Sequence, residues 1–141
     1  MEPKNILILT VGLPRSGKTT WAWRLQCPIV NPDSIRLAIH GQRFVQSAES
    51  FVWATAKAMV PALFLAGHTT VILDATNTTR KRRGEWLSPQ WECCFKHIET
   101  PLEVCLERAE AANDQEIIPI IKYMHAQFEP LGADEKYWLG S

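Results

Sequence analysis

Residues 11–21 read VGLPRSGKTTW (Val11 to Trp21). They end an almost continuously apolar run, NILILTVG (Asn5–Gly12), of the kind a strand takes when both of its faces are buried. Gly12, Leu13, Pro14, Arg15, Ser16, Gly17, Lys18 and Thr19 match GxxxxGK[ST] without a gap. They lie between a predicted strand and a predicted helix start, which is the context the phosphate-binding loop requires. The glycines let backbone N–H groups close around phosphates, Lys18 neutralises the β and γ oxygens, and the Thr19 hydroxyl ligates Mg2+. Thr20, the next residue, is grouped with the nucleotide-binding set. Arg15, inside the loop, either reaches a phosphate or is solvated.

Outward from this loop the chain alternates short apolar runs with longer helical patterns, which predicts a parallel sheet covered by helices. Lys18–Gln26 reads as a short helix, Cys27–Asn31 as a second strand, and Asp33–Ile39 as a helix. Gln46–Gly67 carries apolar residues at helical spacing and stops at a glycine, with Pro61 expected to kink or split it. Thr69–Asn77, TTVILDATN, reads as a third buried strand. A helix with a basic start near Thr79–Leu87, a strand at Cys93–Glu99 and helices at Leu102–Ala112 and Ile117–Phe128 complete the expectation. The result is a three-layer α/β domain over residues 1–141, with ligands at the carboxyl ends of the strands.

With 141 residues, the chain is long enough to bury roughly two thirds of its unfolded surface. Fifteen basic residues balance fifteen acidic ones, so no global field draws it to nucleic acid or an anionic membrane, and a nucleic-acid contact must come from a local patch. Cys27, Cys93, Cys94 and Cys105 form no CxxC pair, and adjacent Cys93 and Cys94 would face opposite sides of a strand. They read as reduced structural thiols, which together with the lack of a signal segment or membrane-length apolar run points to the cytoplasm. The six tryptophans suit a compact core or base-stacking surfaces.

Beyond the loop, Asp74 at the end of VILD stands where P-loop proteins place the carboxylate that organises Mg2+, or caps the next turn. Asp33 and Arg36, in VNPDSIR, follow the second strand closely enough to face a γ-phosphate. Alone they read as a helix N-cap and a surface charge. Arg80, Lys81, Arg82 and Arg83 place four positive charges at a helix start, against the dipole's preference; they suit an anionic acceptor or a solvated turn. Asn77 is either a turn residue or a site ligand.

In this order GLPRSGKTTWA, VNPDSIR, ILDATN followed by RKRRGEW, and IETPLEVCLERA with IIPIIKYMHAQFEPL make the sequence resemble the kinase domain of phage-type polynucleotide 5′-hydroxyl kinases. Related P-loop kinases act on 5-hydroxymethyluracil in phage DNA. The resemblance implies a nucleoside-kinase-like fold with a small lid, and transfer of the ATP γ-phosphate with Mg2+ to a nucleic acid, DNA for preference. The acceptor group is then a 5′-hydroxyl or a base hydroxymethyl. It also implies that Asp33 accepts the proton of the acceptor hydroxyl and Arg36 holds an acceptor phosphate. Lid motifs of this family resemble R-N-x-x-R, and this chain keeps only Arg108, with Ala112 where the second arginine would stand. Since an arginine at the transferring phosphoryl group is worth orders of magnitude in rate, Arg15, Arg36 or Arg108 must substitute, or the protein is slow or inactive. A small-molecule or nucleoside kinase and a non-catalytic nucleotide-binding module are the other readings. No appended phosphatase domain is expected.

Overall fold

The computed structural model describes residues 4–140. Four parallel strands, β1 (Ile6–Val11), β2 (Ile29–Val30), β3 (Thr70–Leu73) and β4 (Glu92–His97), form one sheet in the order β2-β3-β1-β4. Strand β1 is central: Ile6 to Leu9 pair with Thr70 to Leu73, and Ile6 to Val11 pair with Glu92 to His97. The phosphate loop therefore leaves the sheet from its middle, between the ends of β3 and β4.

The apolar runs bury both sheet faces. Leu7, Leu9 and Val11 join Val30, Val71, Leu73 and Phe95 under helix α3 (Glu49–Leu65), which contributes Val52, Ala56 and Val60. Ile8 and Ile72 point the other way, onto Trp21 and Ala22 of α1 (Lys18–Arg24). Burying each such aliphatic side chain stabilises the fold by about 1.5–3 kcal/mol. A separate cluster of Leu13, Cys105, Ala109 and Ile121 joins α5 (Leu102–Ala111) and α6 (Ile117–Gln127) to the phosphate loop. The three-layer α/β expectation holds. Among the described residues no helix is long and apolar enough to cross a membrane.

Several elements differ from the sequence reading. Strand β3 stops at Leu73, so Asp74 to Asn77 lie in the turn beyond it and not in the strand. Strand β2 has two residues, because Cys27 and Pro28 only lead into it. Helix α2 runs Pro32–His40, with Pro32 in the first turn, where a missing N–H costs nothing, and Asn31 as its cap. Helix α3 passes through Pro61 unsplit; the loss of about 3 kcal/mol expected of an interior proline is outweighed by the sheet packing of Val52, Ala56 and Val60. Helix α4 is one turn, Arg80–Gly84, since glycine is a poor helix former and Trp86 turns into the core.

The segment after α6 returns to the outer edge of β4. Phe95 N–H donates to the Lys136 carbonyl at 2.8 Å and Trp138 N–H donates to the Phe95 carbonyl at 2.9 Å.

Candidate active site

The loop after β1 has the backbone an anion cradle needs. Gly17 caps α1 with φ 102°, a left-handed conformation that glycine adopts without strain. At Gly12 a Cβ would stand 2.9 Å from Ser16 Oγ and 3.0 Å from the Ile98 carbonyl, so only glycine fits there. Ser16 Oγ is buried without a hydrogen-bond partner. Lys18 is nearly buried and donates to the Leu13 carbonyl at 2.7 Å. Burial pushes its pKa down, and the charges of Asp74 and Asp33 oppose that shift. A buried ammonium beside an orphaned hydroxyl and a glycine cradle fits a polyphosphate.

Asp74 is 3% exposed at the end of β3 and gathers three neighbours. Its Oδ2 accepts from Thr19 Oγ1 at 2.7 Å and from Asn31 Nδ2 at 3.0 Å, while Thr10 Oγ1 ties the same turn to the Ala75 carbonyl at 2.8 Å. Thr19 and Asp74 thus bring a hydroxyl and a carboxylate together at the mouth of the cradle, a hard oxygen set that suits Mg2+.

On the β2 side, the cap of α2 is Asn31, whose Oδ1 accepts from the N–H groups of Asp33 and Ser34 at 2.8 and 3.2 Å. Asp33 is therefore not the N-cap. Its side chain is 76% exposed and accepts from Arg36 Nη1 at 2.7 Å. Arg36 is anchored from behind by Glu49, which accepts from Nε at 2.9 Å and Nη2 at 2.7 Å. That bidentate bond holds the Glu49 carboxyl below its usual range. The guanidiniums of Arg36 and Arg82 lie 6.0 and 5.0 Å from the ring centre of Trp53.

The basic run does not present four free charges. Arg83 is wholly buried and donates to Glu135, to the Asn77 carbonyl at 2.9 Å and to the Glu129 carbonyl at 3.0 Å. Arg80 is bound to Asp134 and Glu135. Of the three arginines in this run it is Arg82 that is turned to the Trp53 side, where Arg36 also lies, with Lys81 beside it in sequence. Asn77 is a buried turn residue at φ 44°, its Nδ2 spent on the Thr10 carbonyl at 2.9 Å. The departures of Arg80 and Arg83 share one cause: a turn of helix sends neighbouring residues in different directions, and the acidic 129–135 segment, far along the chain, claims this pair.

Opposite β2, an open cleft of about 1040 Å3 runs from the phosphate loop along α1 and α5; Arg15, Lys18, Thr20, Arg24, Lys96 and Arg108 line it. Arg108 lies over the loop, donating to the Arg15 carbonyl at 3.0 Å. Pro14 lies between Leu13, which the α5/α6 cluster buries, and exposed Arg15. Sequence reasoning missed Asn31, Glu49, Trp53, Arg43 and Asp114. Only Asn31, preceding a proline and an aspartate at a helix start, carried a local signal as a cap; the others act across long chain separations.

A β1 strand leading into this loop, with the sheet order and a Thr–Asp pair at its mouth, defines a P-loop kinase-like domain. The chain belongs to the family described as AAA domain, whose profile matches residues 7–131. Solved structures are similar over most of the chain. One is a chain of the Pnkp1/Rnl/Hen1 RNA repair complex, 20% identical with a TM-score of 0.69, covering 92% of this chain and 48% of that one. A second structure of a Pnkp1/Rnl/Hen1 complex is 28% identical over 77% of this chain and 40% of that one, with a TM-score of 0.67. A gluconokinase from Sinorhizobium meliloti 1021 is 18% identical, covering 96% of this chain and 81% of that one, with a TM-score of 0.61. The chain thus spans less than half the length of the RNA repair chains it resembles. Comparison with curated protein sequences gave no match.

Proposed function

We propose that the protein is an ATP- and Mg2+-dependent kinase that transfers the γ-phosphate to a hydroxyl of a nucleic acid. The observation that carries this reading is Asp33. Its carboxylate is exposed, is not used as a helix cap, acts electrostatically on Lys18 and is held by an arginine that Glu49 fixes in place. The likeness to chains in two structures of the Pnkp1/Rnl/Hen1 complex, one described as an RNA repair complex and the other matched at 28% identity, supports a nucleic-acid acceptor.

In this mechanism the cradle residues Gly12 to Thr20 and Lys18 hold the triphosphate, with Arg108 above the loop. Thr19 and Asp74 would hold Mg2+, which supplies neutralising charge on the phosphate oxygens. The acceptor oxygen attacks the γ-phosphorus in line, the bond to the β,γ-bridging oxygen breaks, and the acceptor's proton passes to Asp33. Arg82, close to the ring of Trp53, offers positive charge to an acceptor phosphate, and Arg36, anchored by Glu49, holds the Asp33 carboxylate in position.

A small-molecule kinase is the second reading. The internal pairing of Arg80 and Arg83 favours it, because two charges assigned to a nucleic-acid acceptor are already neutralised. The deciding experiment offers γ-labelled ATP and Mg2+ with 5′-hydroxyl oligonucleotides of DNA and RNA, with end-blocked DNA containing 5-hydroxymethyluracil, and with free nucleosides and sugars. Label recovered on a polynucleotide end or an internal base is the expected result. Label on the small molecules alone replaces the nucleic-acid reading, and tight ATP binding without transfer to any acceptor leaves a nucleotide-binding module.

A further inference from the structure

Asp114, in the turn between α5 and α6, is the meeting point of two arginines from distant elements. Arg43, in the loop after α2, grips it with a fork: Nη1 donates to Oδ1 at 2.7 Å and Nη2 to Oδ2 at 2.6 Å. Arg15, at the tip of the phosphate loop, donates to the same Oδ2 at 2.9 Å. We infer that Arg15 and Arg43 form the clamp that neutralises the γ-phosphate, and that the Asp114 carboxylate holds this clamp in the phosphate's place.

A planar fork closing on two oxygens is the arrangement in which guanidinium binds carboxylate and phosphate alike. Arg15 adopts φ 68°, a left-handed backbone that costs a non-glycine residue of order 1 kcal/mol or more and tends to occur at functional sites. Its carbonyl is held by Arg108, and its side chain reaches from the loop tip to Asp114. Arg43 shares the Asp114 Oδ2 with Arg15, which brings its guanidinium to the tip of the phosphate loop. A phosphoryl group in flight demands positive charge. The inference rests on the reading of Gly12–Thr19 as a triphosphate cradle.

Calorimetric titration with ATP and with ADP, both with Mg2+, separates the two ideas without requiring an acceptor. The wild-type protein is expected to prefer ATP. Arg43→Gln should remove about tenfold of that preference while leaving ADP affinity in place, as loss of a charged hydrogen-bonded partner of the γ-phosphate does, and Arg43→Lys should restore part of it. Asp114→Asn, releasing Arg15 and leaving Arg43 with Glu116 at 3.9 Å, should tighten ATP several-fold. An unchanged ATP-to-ADP ratio in Arg43→Gln, or weaker ATP binding by a folded Asp114→Asn, overturns the clamp while the cradle stands. Should Asp114→Asn fail to fold, Arg15→Gln serves in its place, with the same loss of preference expected and an unchanged ratio decisive against the clamp. A wild-type protein that binds neither nucleotide overturns the cradle itself.

Discussion

Arg82 and Arg83 are neighbours in a run of four basic residues, yet one lies against Trp53 near the surface and the other is fully buried. No composition argument separates them. Lys18 and Thr19 could be placed from the sequence because their partners lie within one loop and one strand end, whereas the environment of Arg83 is made by Glu129 and Glu135, some fifty positions later. Arg83→Met should destabilise the fold by about 3–5 kcal/mol, the range for breaking a buried pair and stranding its carboxylate, measured by urea unfolding; Arg82→Met should leave stability within about 0.5 kcal/mol. Asp33→Asn is expected to reduce turnover by roughly two to four orders of magnitude with ATP affinity intact, read by steady-state kinetics beside a binding titration. Cys93 follows the sequence expectation of an inert thiol: burial pushes it up to about 11. Alkylation of Cys93 in the native protein at pH 8, followed by mass spectrometry, should therefore run far slower than for an unfolded control.

Helix positions were legible from apolar spacing and stop signals, and their ends were not, because caps and tertiary packing set them. Helix α2 is the clearest case: Asn31 fixes its start with Oδ1 and fixes Asp74 with Nδ2. One side chain therefore couples the helix carrying Asp33 to the Thr19–Asp74 pair. Asn31→Ala should cost about 1 kcal/mol as a lost cap. Asn31→Asp keeps the cap and sets a second carboxylate against Asp74, so millimolar Mg2+ should raise its melting temperature by more than it raises that of the wild type. The α5–α6 turn is held differently. Arg43 and then Arg15 keep the Asp114 carboxyl far below the ordinary carboxylate range. A group so depressed contributes fully above its unfolded pKa and loses that contribution only as pH falls through the folded value. Amide exchange in this turn is thus expected to stay slow down to about pH 4 and to rise only in stronger acid.

At the scale of the whole molecule the α/β class followed from the alternation of runs, while the sharing of charge between distant segments did not. With Arg80 and Arg83 neutralised internally, few cations remain near Trp53 to meet a polyanion. On the proposed reading, a single-stranded acceptor touching Arg82 would release counterions from about one phosphate, giving a slope of log affinity on log salt of about −0.7; a slope several times steeper would mean a basic surface elsewhere. The return of residues 136–138 to β4 has a bearing on colloidal behaviour. One margin of the sheet is occupied by the chain itself, and the opposite margin, β2, offers two residues of ladder. The two-residue β2 and the bridge at Phe95 both shorten the backbone open to a stranger's strand, a safeguard against the cross-molecule stacking to which open sheets are prone.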